Sequence, residues 1–264
     1  MIKKIKLFVN DNSKSREVEN ILSKKLRSAN FSIVDDEFDL GIAVGGDGSF
    51  LRMIKNSNFD SDCYFVGINA GTLGFAQEVD IDQIDEFIEL IAREEFNYEK
   101  IGVQEVTIST EDSSSKLCSL NEIVVRDYEL NTTRLGVYVD EVLLENYVGD
   151  GLLVSTSFGS TAYNLSFGGS IVYNTFHTLQ ITPIAPLNSK SYRNLLNSVI
   201  VPDNKIIKLV PKKEYNNLII TVDGDNNLYK GVHSIETVIN NRTINVIRMD
   251  DYNFVKKIND KFLK

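Results

Sequence analysis

Apolar residues follow two different spacings along the first hundred positions of this chain. Short apolar runs predict three strands, at IKLFVN (5–10), at residues 40–44 and at CYFVGI (63–68). Apolar residues three and four positions apart predict helices over residues 15–29 and 82–95, and a third helix beginning at Ser49. Strands that alternate with helices predict a parallel sheet with helices on its faces.

The pattern changes after about residue 100. The later apolar segments are short, β-branched and separated by turn residues, as in VQEVTIST (103–110), NEIVVRD (121–127) and NNLIITVDGD (216–225). They predict an antiparallel, mostly-β second domain. Residues 186–197 carry an ambiguous helical pattern, and the apolar spacing from Phe254 to Phe262 predicts one last helix.

Composition and charge narrow the class of protein. With 264 residues, of which 42% are hydrophobic and 25% charged, the chain has the composition of a soluble globular protein. Its 28 basic and 37 acidic residues give a net charge of −9, which argues against nucleic acid as a partner, because phosphate backbones bind clustered Lys and Arg. No apolar window approaches the length of a membrane span, so no membrane partner is predicted.

The cysteines and histidines offer few ligands for a metal. Cys63 and Cys118 match no zinc or redox spacing and are interpreted as buried thiols in a reducing cytoplasm. With only His177 and His233, most histidine-based metal sites and triads are excluded. The N-terminus MIKKIKLFVN has an apolar part of four residues, which favours a first strand over a secretory signal. The sequence predicts a cytoplasmic protein without a metal site of its own.

A glycine-rich stretch, GGDGSF (45–50), stands where a predicted strand ends and a helix begins. Glycines let a ligand approach the main chain, and a helix N-terminus attracts an anion. Asp47 has two interpretations: it caps the following helix, or it acts on a ligand. Open α/β sheets bind ligands at the carboxyl ends of their strands, which favours the second interpretation. Neither a Walker loop nor a dinucleotide-binding glycine fingerprint is present.

A second unusual stretch lies in the mostly-β part. Residues 147–172, YVGDGLLVSTSFGSTAYNLSFGGSIV, concentrate hydroxyl-bearing and small side chains that let a polar ligand lie close to the backbone. A tyrosine offers a flat apolar face to a base, and Asp150 can accept from an amide or amino group. The alternative is a Ser/Thr-rich surface loop. A ligand-binding segment is favoured, because Gly168 and Gly169 close the stretch and an apolar strand resumes at Ile171.

Together these motifs resemble the NAD kinase family. The matching segments are GGDGSF (45–50), NAGTLGF (69–75), the Asn121–Glu122 pair, GDG (149–151), GSTAYNLSFGG (159–169) and TVDGD (221–225). GGDG alone is shared with phosphofructokinases and lipid kinases, whereas the Asn–Glu pair followed by GSTAY is more specific to NAD kinases. The family usually has Thr-Pro before the glycine of GSTAY, and the Ser157–Phe158 found here predicts a less rigid turn.

The resemblance implies a two-domain, NAD kinase-like fold. It predicts an α/β domain of residues 1–100 joined by the C-terminal helix at 245–264, and a mostly-β, sandwich-like NAD-binding domain of residues 101–244. It also implies a homotetramer whose sites are shared between subunits and lie in the cleft between the domains.

The resemblance also implies roles for individual residues. Asp47 resembles the general base, and Gly45, Gly46, Gly48 and Asp223 resemble ATP- or phosphate-binding residues. The predicted NAD-binding residues are Asp47, Gly48, Asn121, Glu122, Asp150, Thr161, Ala162, Tyr163, Ser166 and Ala185. No residue is predicted to ligate a metal, and Mg²⁺ or another divalent cation is expected to accompany ATP.

The activity implied is phosphorylation of the adenosine ribose 2′-hydroxyl of NAD by ATP, which gives NADP. Two alternatives stay open on the sequence: a catalytically silent NADP(H)-binding regulator with the same fold, and a related GGDG kinase acting on a lipid or a sugar phosphate. The sequence leaves open whether polyphosphate replaces ATP, whether NADH replaces NAD, and which metabolite inhibits.

Overall fold

The computed structural model describes residues 1–71 and 74–264, which form two compact units. Unit 1 comprises residues 1–101 and 243–264, and unit 2 comprises residues 102–242. The helices are α1 (Ser13–Ser28), α2 (Asp47–Asn56), α3 (Ile84–Arg93), α4 (Tyr163–Ser166) and α5 (Phe254–Phe262), with 3-10 turns at Ile81–Gln83, Phe158–Thr161 and Lys213–Tyr215.

The strands are β1 (Lys4–Val9), β2 (Ser32–Ile33), β3 (Leu40–Gly45), β4 (Tyr64–Asn69), β5 (Asn97–Thr110), β6 (Ser114–Ser119), β7 (Glu122–Asp127), β8 (Thr133–Val139), β9 (Val142–Gly149), β10 (Gly151–Thr156), β11 (Thr178–Ile184), β12 (Val199–Pro202), β13 (Ile207–Pro211), β14 (Leu218–Val222), β15 (Asp225–Tyr229) and β16 (Val232–Arg248).

Unit 1 is built on a parallel sheet. Its strand order is β2-β1-β3-β4, followed by the last residues of β16, and all of these neighbours pair in parallel. Every residue of β3 is buried, as expected of a central strand covered on both faces. Leu22 and Leu26 of α1 and Phe87 of α3 pack against this sheet in one hydrophobic cluster. The predicted parallel α/β fold is confirmed.

The helices of unit 1 begin at polar caps. Asn12 caps α1, and its side chain accepts a hydrogen bond from the Ser15 N–H at 2.9 Å. Helix α2 begins at Asp47, two residues before the predicted start at Ser49, because Gly46 is the extended N-cap residue directly after β3. The chain therefore passes from buried strand to helix within the glycine-rich stretch.

Unit 2 contains two antiparallel sheets. One has the order β12-β11-β10-β7-β14-β15, and the other includes β13, β8 and β9 with the first residues of β16. Both sheets contribute to one hydrophobic cluster, for example Val125 and Leu152 from the first and Val137 and Leu209 from the second. Two sheets that share one core form a sandwich, so the predicted mostly-β, sandwich-like fold is confirmed.

Residues 186–197 form no helix. The side chains of Leu187, Leu195 and Leu196 are exposed, so a helix there would have no core to pack against. The Ser/Gly-rich stretch instead supplies the 3-10 turn at Phe158–Thr161 and α4. Among the described residues, no helix has the length and apolar character that a membrane crossing requires.

Candidate functional site

The glycine-rich loop contains two kinds of glycine. The backbone conformation and the packing require a glycine at Gly45, but not at Gly46 or Gly48. At Gly45 φ is +151°, and a Cβ there would lie 2.5 Å from the Ser49 hydroxyl oxygen, so a side chain is strained and sterically blocked. Gly46 has an ordinary φ of −109°, and a Cβ there would meet no described atom within 4 Å. Among the described residues, a Cβ on the exposed Gly48 would meet only the Arg52 guanidinium, at 3.8 Å. Gly46 and Gly48 therefore leave the main chain at the N-terminus of α2 open to a ligand.

Asp47 does not cap its own helix. Its Oδ1 accepts from the Ala76 N–H at 2.9 Å, and its Oδ2 accepts from the Phe75 N–H at 3.2 Å. Oδ2 also pairs with the Lys261 ammonium at 3.0 Å. The N-cap residue, Gly46, makes no side-chain capping bond, so the capping interpretation of Asp47 is wrong. The carboxylate instead joins α2 to the loop that follows β4.

This second loop leaves the same edge of the sheet. Gly45 pairs with Asn69, so β3 and β4 end side by side, and their carboxyl ends are where ligands bind in open α/β sheets. A Cβ at Gly74 would lie 2.2 Å from Asp47 Oδ1, which explains why the segment needs a glycine there. Two residues of the predicted motif NAGTLGF, Thr72 and Leu73, lie outside the described residues.

Lys261 is a candidate functional residue that the sequence analysis missed. It lies in α5, one turn after Lys257, whose ammonium donates to the Phe75 carbonyl at 3.3 Å and pairs with Glu78 at 3.0 Å. In the sequence Lys261 is one of several lysines in a helical pattern. Its partner lies 214 positions away, so no local signal identifies it.

In unit 2, Asp223 shapes the turn that carries the Asn121–Glu122 pair. Its carboxylate accepts from four donors, which are Ser119 Oγ at 2.7 Å and the N–H groups of Leu120 at 2.7 Å, Asn121 at 2.8 Å and Glu122 at 3.2 Å. Burial raises the pKa of Asp223, although these donors oppose the shift. The contacts favour a positioning role toward Asn121 and Glu122, and the ATP- or phosphate-binding role stays a prediction.

Glu122 holds an unused acceptor in a buried position. The residue is 7% exposed, and its Oε2 makes no hydrogen bond with any of the described residues. Burial, followed by the negative charge of Asp223, raises the pKa of Glu122 to about 8, against a smaller opposing effect of the Tyr163 N–H. Buried polar atoms are nearly always paired, so this oxygen is a candidate acceptor for a ligand hydroxyl.

The segment after β10 is anchored by two residues that were not predicted to bind. Ser160 is fully buried, and its hydroxyl accepts from the Val172 N–H at 3.0 Å. Asn164 is also fully buried and accepts from the Thr182 hydroxyl at 2.6 Å. The four residues of this segment that were predicted to bind NAD are half-buried or exposed; they are Thr161, Ala162, Tyr163 and Ser166.

Two further contacts fix this segment. A Cβ at Gly159 would lie 2.1 Å from the Asn121 carbonyl oxygen, so this glycine allows the segment to lie against the Asn121–Glu122 turn. Ser157 donates to the Phe176 carbonyl and shares a hydrogen bond of 3.0 Å with the Thr178 hydroxyl. These bonds hold the turn where the family pattern has proline.

Tyr163 presents an aromatic face supported by a second missed residue, Arg126. The tyrosine hydroxyl accepts from the Arg126 guanidinium at 3.0 Å, and the ring lies edge-on to Phe167 at 4.8 Å. The tyrosine is 40% exposed, so part of its ring is available to a base. Arg126 lies four positions after Glu122 in β7, and this even spacing places both on one face of the strand. This even spacing in β7 is the sequence signal that could have identified Arg126.

Asp150 and Ala185 form a separate group. The Asp150 N–H donates to the Ile184 carbonyl at 3.0 Å, and Ala185 has a φ of 45°, a strained conformation for alanine. Both residues are exposed. They lie at the end of β10 where Gly151 pairs with Ile184, whereas Glu122 pairs with Ser155 near the other end. From the rise per residue of a β-strand, the two groups lie about 15 Å apart within one chain.

The described residues contain no cluster of three or more His, Cys, Asp or Glu side chains that could hold a metal ion. Both cysteines are free thiols. Cys63 is buried as predicted, but Cys118 is only half-buried. It lies in β6, and the Arg242 guanidinium donates to its sulfur at 3.1 Å.

Comparisons with known proteins cover both units. The family model for the ATP-NAD kinase N-terminal domain matches residues 2–96, and the model for the ATP-NAD kinase C-terminal domain matches residues 120–249. The chain is 40% identical to the NAD kinase of Finegoldia magna, over 98% of this chain and 97% of that protein. It is 34% identical to the NAD kinase of Streptococcus gordonii, over 99% of this chain and 96% of that protein.

A solved structure supports the same fold. The crystal structure of yeast NADH kinase complexed with NADH matches with a TM-score of 0.85 and 21% identity, over 98% of this chain and 87% of that chain. At this identity the match bears on the fold alone.

Proposed function

The chain belongs to the NAD kinase family, and from this premise we propose that it transfers the γ-phosphoryl group of ATP to the adenosine ribose 2′-hydroxyl of NAD. In this reaction a bond forms between the hydroxyl oxygen and the γ-phosphorus, the bond to the β-phosphate oxygen breaks, and NADP and ADP result. The observation that carries the proposal is Asp47, a carboxylate at the first turn of α2 whose side chain is not used as a helix cap.

Asp47 is the proposed general base. A carboxylate offers about four acceptor positions, and the Phe75 N–H, the Ala76 N–H and the Lys261 ammonium occupy three of them. Among the described residues nothing occupies the second position on Oδ1, which is proposed to receive the ribose hydroxyl. As this hydroxyl attacks, its proton passes to Asp47, which makes a weak nucleophile reactive.

The main chain of Gly45, Gly46 and Gly48 is the proposed phosphate-binding element. It lies at the N-terminus of α2, where backbone N–H groups and the helix dipole favour an anion. Mg²⁺ binds through few protein carboxylates and several phosphate oxygens, so a divalent ion is proposed to arrive with ATP. The ion supplies positive charge that offsets the repulsion between the triphosphate and Asp47.

NAD is proposed to bind through residues of unit 2. Asn121 and the unpaired Oε2 of Glu122 suit the hydroxyls of a ribose. The exposed face of Tyr163 suits a base, and Thr161, Ala162 and Ser166 line the same segment. Asp150 is proposed to accept from an amide or amino group, with the Ala185 backbone beside it.

The two groups of unit 2 are proposed to contribute to a site shared between subunits, as the family resemblance implies. Asp150 and Ala185 lie about 15 Å along β10 from the Asn121–Glu122 pair. We propose a homotetramer in which each NAD contacts the two groups from different subunits. Light scattering tests it, because a monomer has a mass of 29.7 kDa.

The decisive experiment is an assay of the purified protein with Mg-ATP and NAD, in which NADP is measured with an NADP-specific dehydrogenase. NADP formation that stops with a chelator or without ATP supports the proposal. NADP binding in calorimetry without turnover identifies a silent regulator, and phosphate transfer only to diacylglycerol or fructose 6-phosphate identifies another GGDG kinase. Assays with NADH in place of NAD, and with polyphosphate in place of ATP, show which substrates the protein accepts.

A further inference from the structure

A lysine of the C-terminal helix faces the carboxylate of the proposed general base. The Lys261 ammonium lies 3.0 Å from Asp47 Oδ2, and the two side chains are 27% and 37% exposed. The same oxygen accepts from the Phe75 N–H. Among the described residues, Lys261 is therefore the one charged group that forms an ion pair with Asp47.

Helix α5 is held in place by contacts other than Lys261. The Phe75 ring lies 6.1 Å from Phe254 and 5.3 Å from Phe262, at the two ends of the helix. Lys257 binds the Phe75 carbonyl and Glu78. Because residues four positions apart lie on one face of a helix, these anchors aim Lys261 at Asp47. The ion pair is thus a consequence of helix docking and not its cause.

We propose that Lys261 is a positioning residue for phosphoryl transfer, a role that rests on the proposed function of Asp47. Its ammonium holds Oδ2 against the Phe75 backbone and so turns the free side of Oδ1 toward the ribose hydroxyl. Its charge also reduces the repulsion between Asp47 and the incoming triphosphate. Lys261 itself exchanges no proton with substrate.

The magnitude expected of this contact separates a positioning role from a structural one. Partly exposed ion pairs contribute little to folding, and α5 retains its aromatic and Lys257 anchors without Lys261. The orientation of a reacting group, in contrast, acts directly on the rate of the chemical step. Removal of the ammonium should therefore affect kcat far more than stability.

The test compares Lys261→Met, Lys261→Arg and the control Lys256→Met, which removes a charge from an exposed position of the same helix. We expect Lys261→Met to lower kcat about tenfold, with KM for NAD and the thermal midpoint nearly unchanged. Lys261→Arg should recover most of kcat, and Lys256→Met should match the wild type. If Lys261→Met fails to fold, Lys261→Gln gives the same comparison.

Three results overturn the inference. Wild-type kcat in Lys261→Met removes the role, and a higher kcat shows that the ammonium competes with the hydroxyl for Asp47. An equal loss in Lys256→Met shows a general effect of charge. Asp47→Asn, measured in parallel, distinguishes failure of the Lys261 proposal from failure of the general-base proposal. If Asp47→Asn abolishes turnover while Lys261→Met has wild-type turnover, only the proposal for Lys261 fails. Wild-type turnover in Asp47→Asn removes the general-base role as well.

Discussion

Two carboxylates, Asp47 in unit 1 and Glu122 in unit 2, stand in opposite environments. Asp47 is 37% exposed and already accepts from two backbone N–H groups and an ammonium. Glu122 is 7% exposed and has one oxygen without a donor among the described residues. The first environment fixes the orientation of the carboxylate, which suits a group that must meet a reacting hydroxyl in one geometry. The second leaves an acceptor unpaired until a ligand arrives, which suits binding.

The largest effect that tests this contrast is expected from Asp47→Asn. An amide cannot accept a proton at neutral pH, so we expect kcat to fall by about 10²- to 10⁴-fold, with NADP binding retained. The NH₂ group of the amide would also face another donor, either the Phe75 N–H or the Lys261 ammonium. The free energy of unfolding should therefore fall by roughly 1–3 kcal/mol. The measurements are kcat and the thermal midpoint on the same variant.

The control for this variant is Asp82→Asn, which removes an exposed carboxylate from the same unit. It should leave both measurements unchanged. Wild-type kcat in Asp47→Asn would show that Asp47 only ties α2 to the Phe75–Ala76 segment, and the contrast with Glu122 would then be one of structure alone.

The next effect is expected in NAD binding by Glu122→Gln. The ionised carboxyl group accepts two ribose hydroxyls, whereas the amide presents one oxygen and one donor. The loss should be roughly 1.5–3 kcal/mol, or about one to two decades in KM for NAD, while KM for ATP serves as an internal control. The difference should grow between pH 6.5 and pH 9, since the pKa of Glu122 is raised to about 8. An unchanged KM at pH 9 would remove Glu122 from the site.

Stability should depend on pH through the same residue. The folded-state pKa of Glu122 is about 8, above the value of 4.5 expected when unfolded, so the folded state binds the proton more tightly. This contribution is complete below pH 4.5 and is lost as pH rises through 8. We expect the free energy of unfolding to fall by roughly 2 kcal/mol between pH 6 and pH 8.

Denaturant unfolding of the wild type and of Glu122→Gln measures this dependence. The glutamine variant should show a smaller decline, because it lacks the carboxyl group that titrates. If the free energy of unfolding falls equally with pH in the two proteins, the pKa of Glu122 is not raised in the folded state.

The smallest effect on stability is expected at Gly46, compared with its neighbour. Gly46→Ala meets no described atom within 4 Å and keeps an ordinary φ, so it should cost at most about 1 kcal/mol. Gly45→Ala places a Cβ 2.5 Å from the Ser49 hydroxyl at a φ of +151° and should cost more. If Gly46 binds phosphate, Gly46→Ala should still raise KM for ATP. Equal KM values for ATP in wild type and Gly46→Ala would argue against that role.

Local pattern singled out the glycine loop and residues 147–172, because their small and polar residues are unusual for a strand or a helix, whereas the Asn121–Glu122 pair was predicted only from the family resemblance. The resemblance also gave Thr161, Ala162, Tyr163 and Ser166, which the structure places on the accessible side of their segment. The sequence analysis missed Lys261, whose partner is 214 positions away. It missed Arg126, although the even spacing in β7 was visible.

Local pattern by itself determined the parallel and antiparallel halves of the fold, because strand and helix periodicities depend only on which side chains must be buried. Only the tertiary structure decided what the polar groups do. Asp47, which the sequence allowed as a helix cap, instead accepts hydrogen bonds from Phe75, Ala76 and Lys261. Asp223 accepts hydrogen bonds from the 119–122 turn. Hydrogen bonds are short and directional, so the partner of a carboxylate is fixed by how distant segments pack.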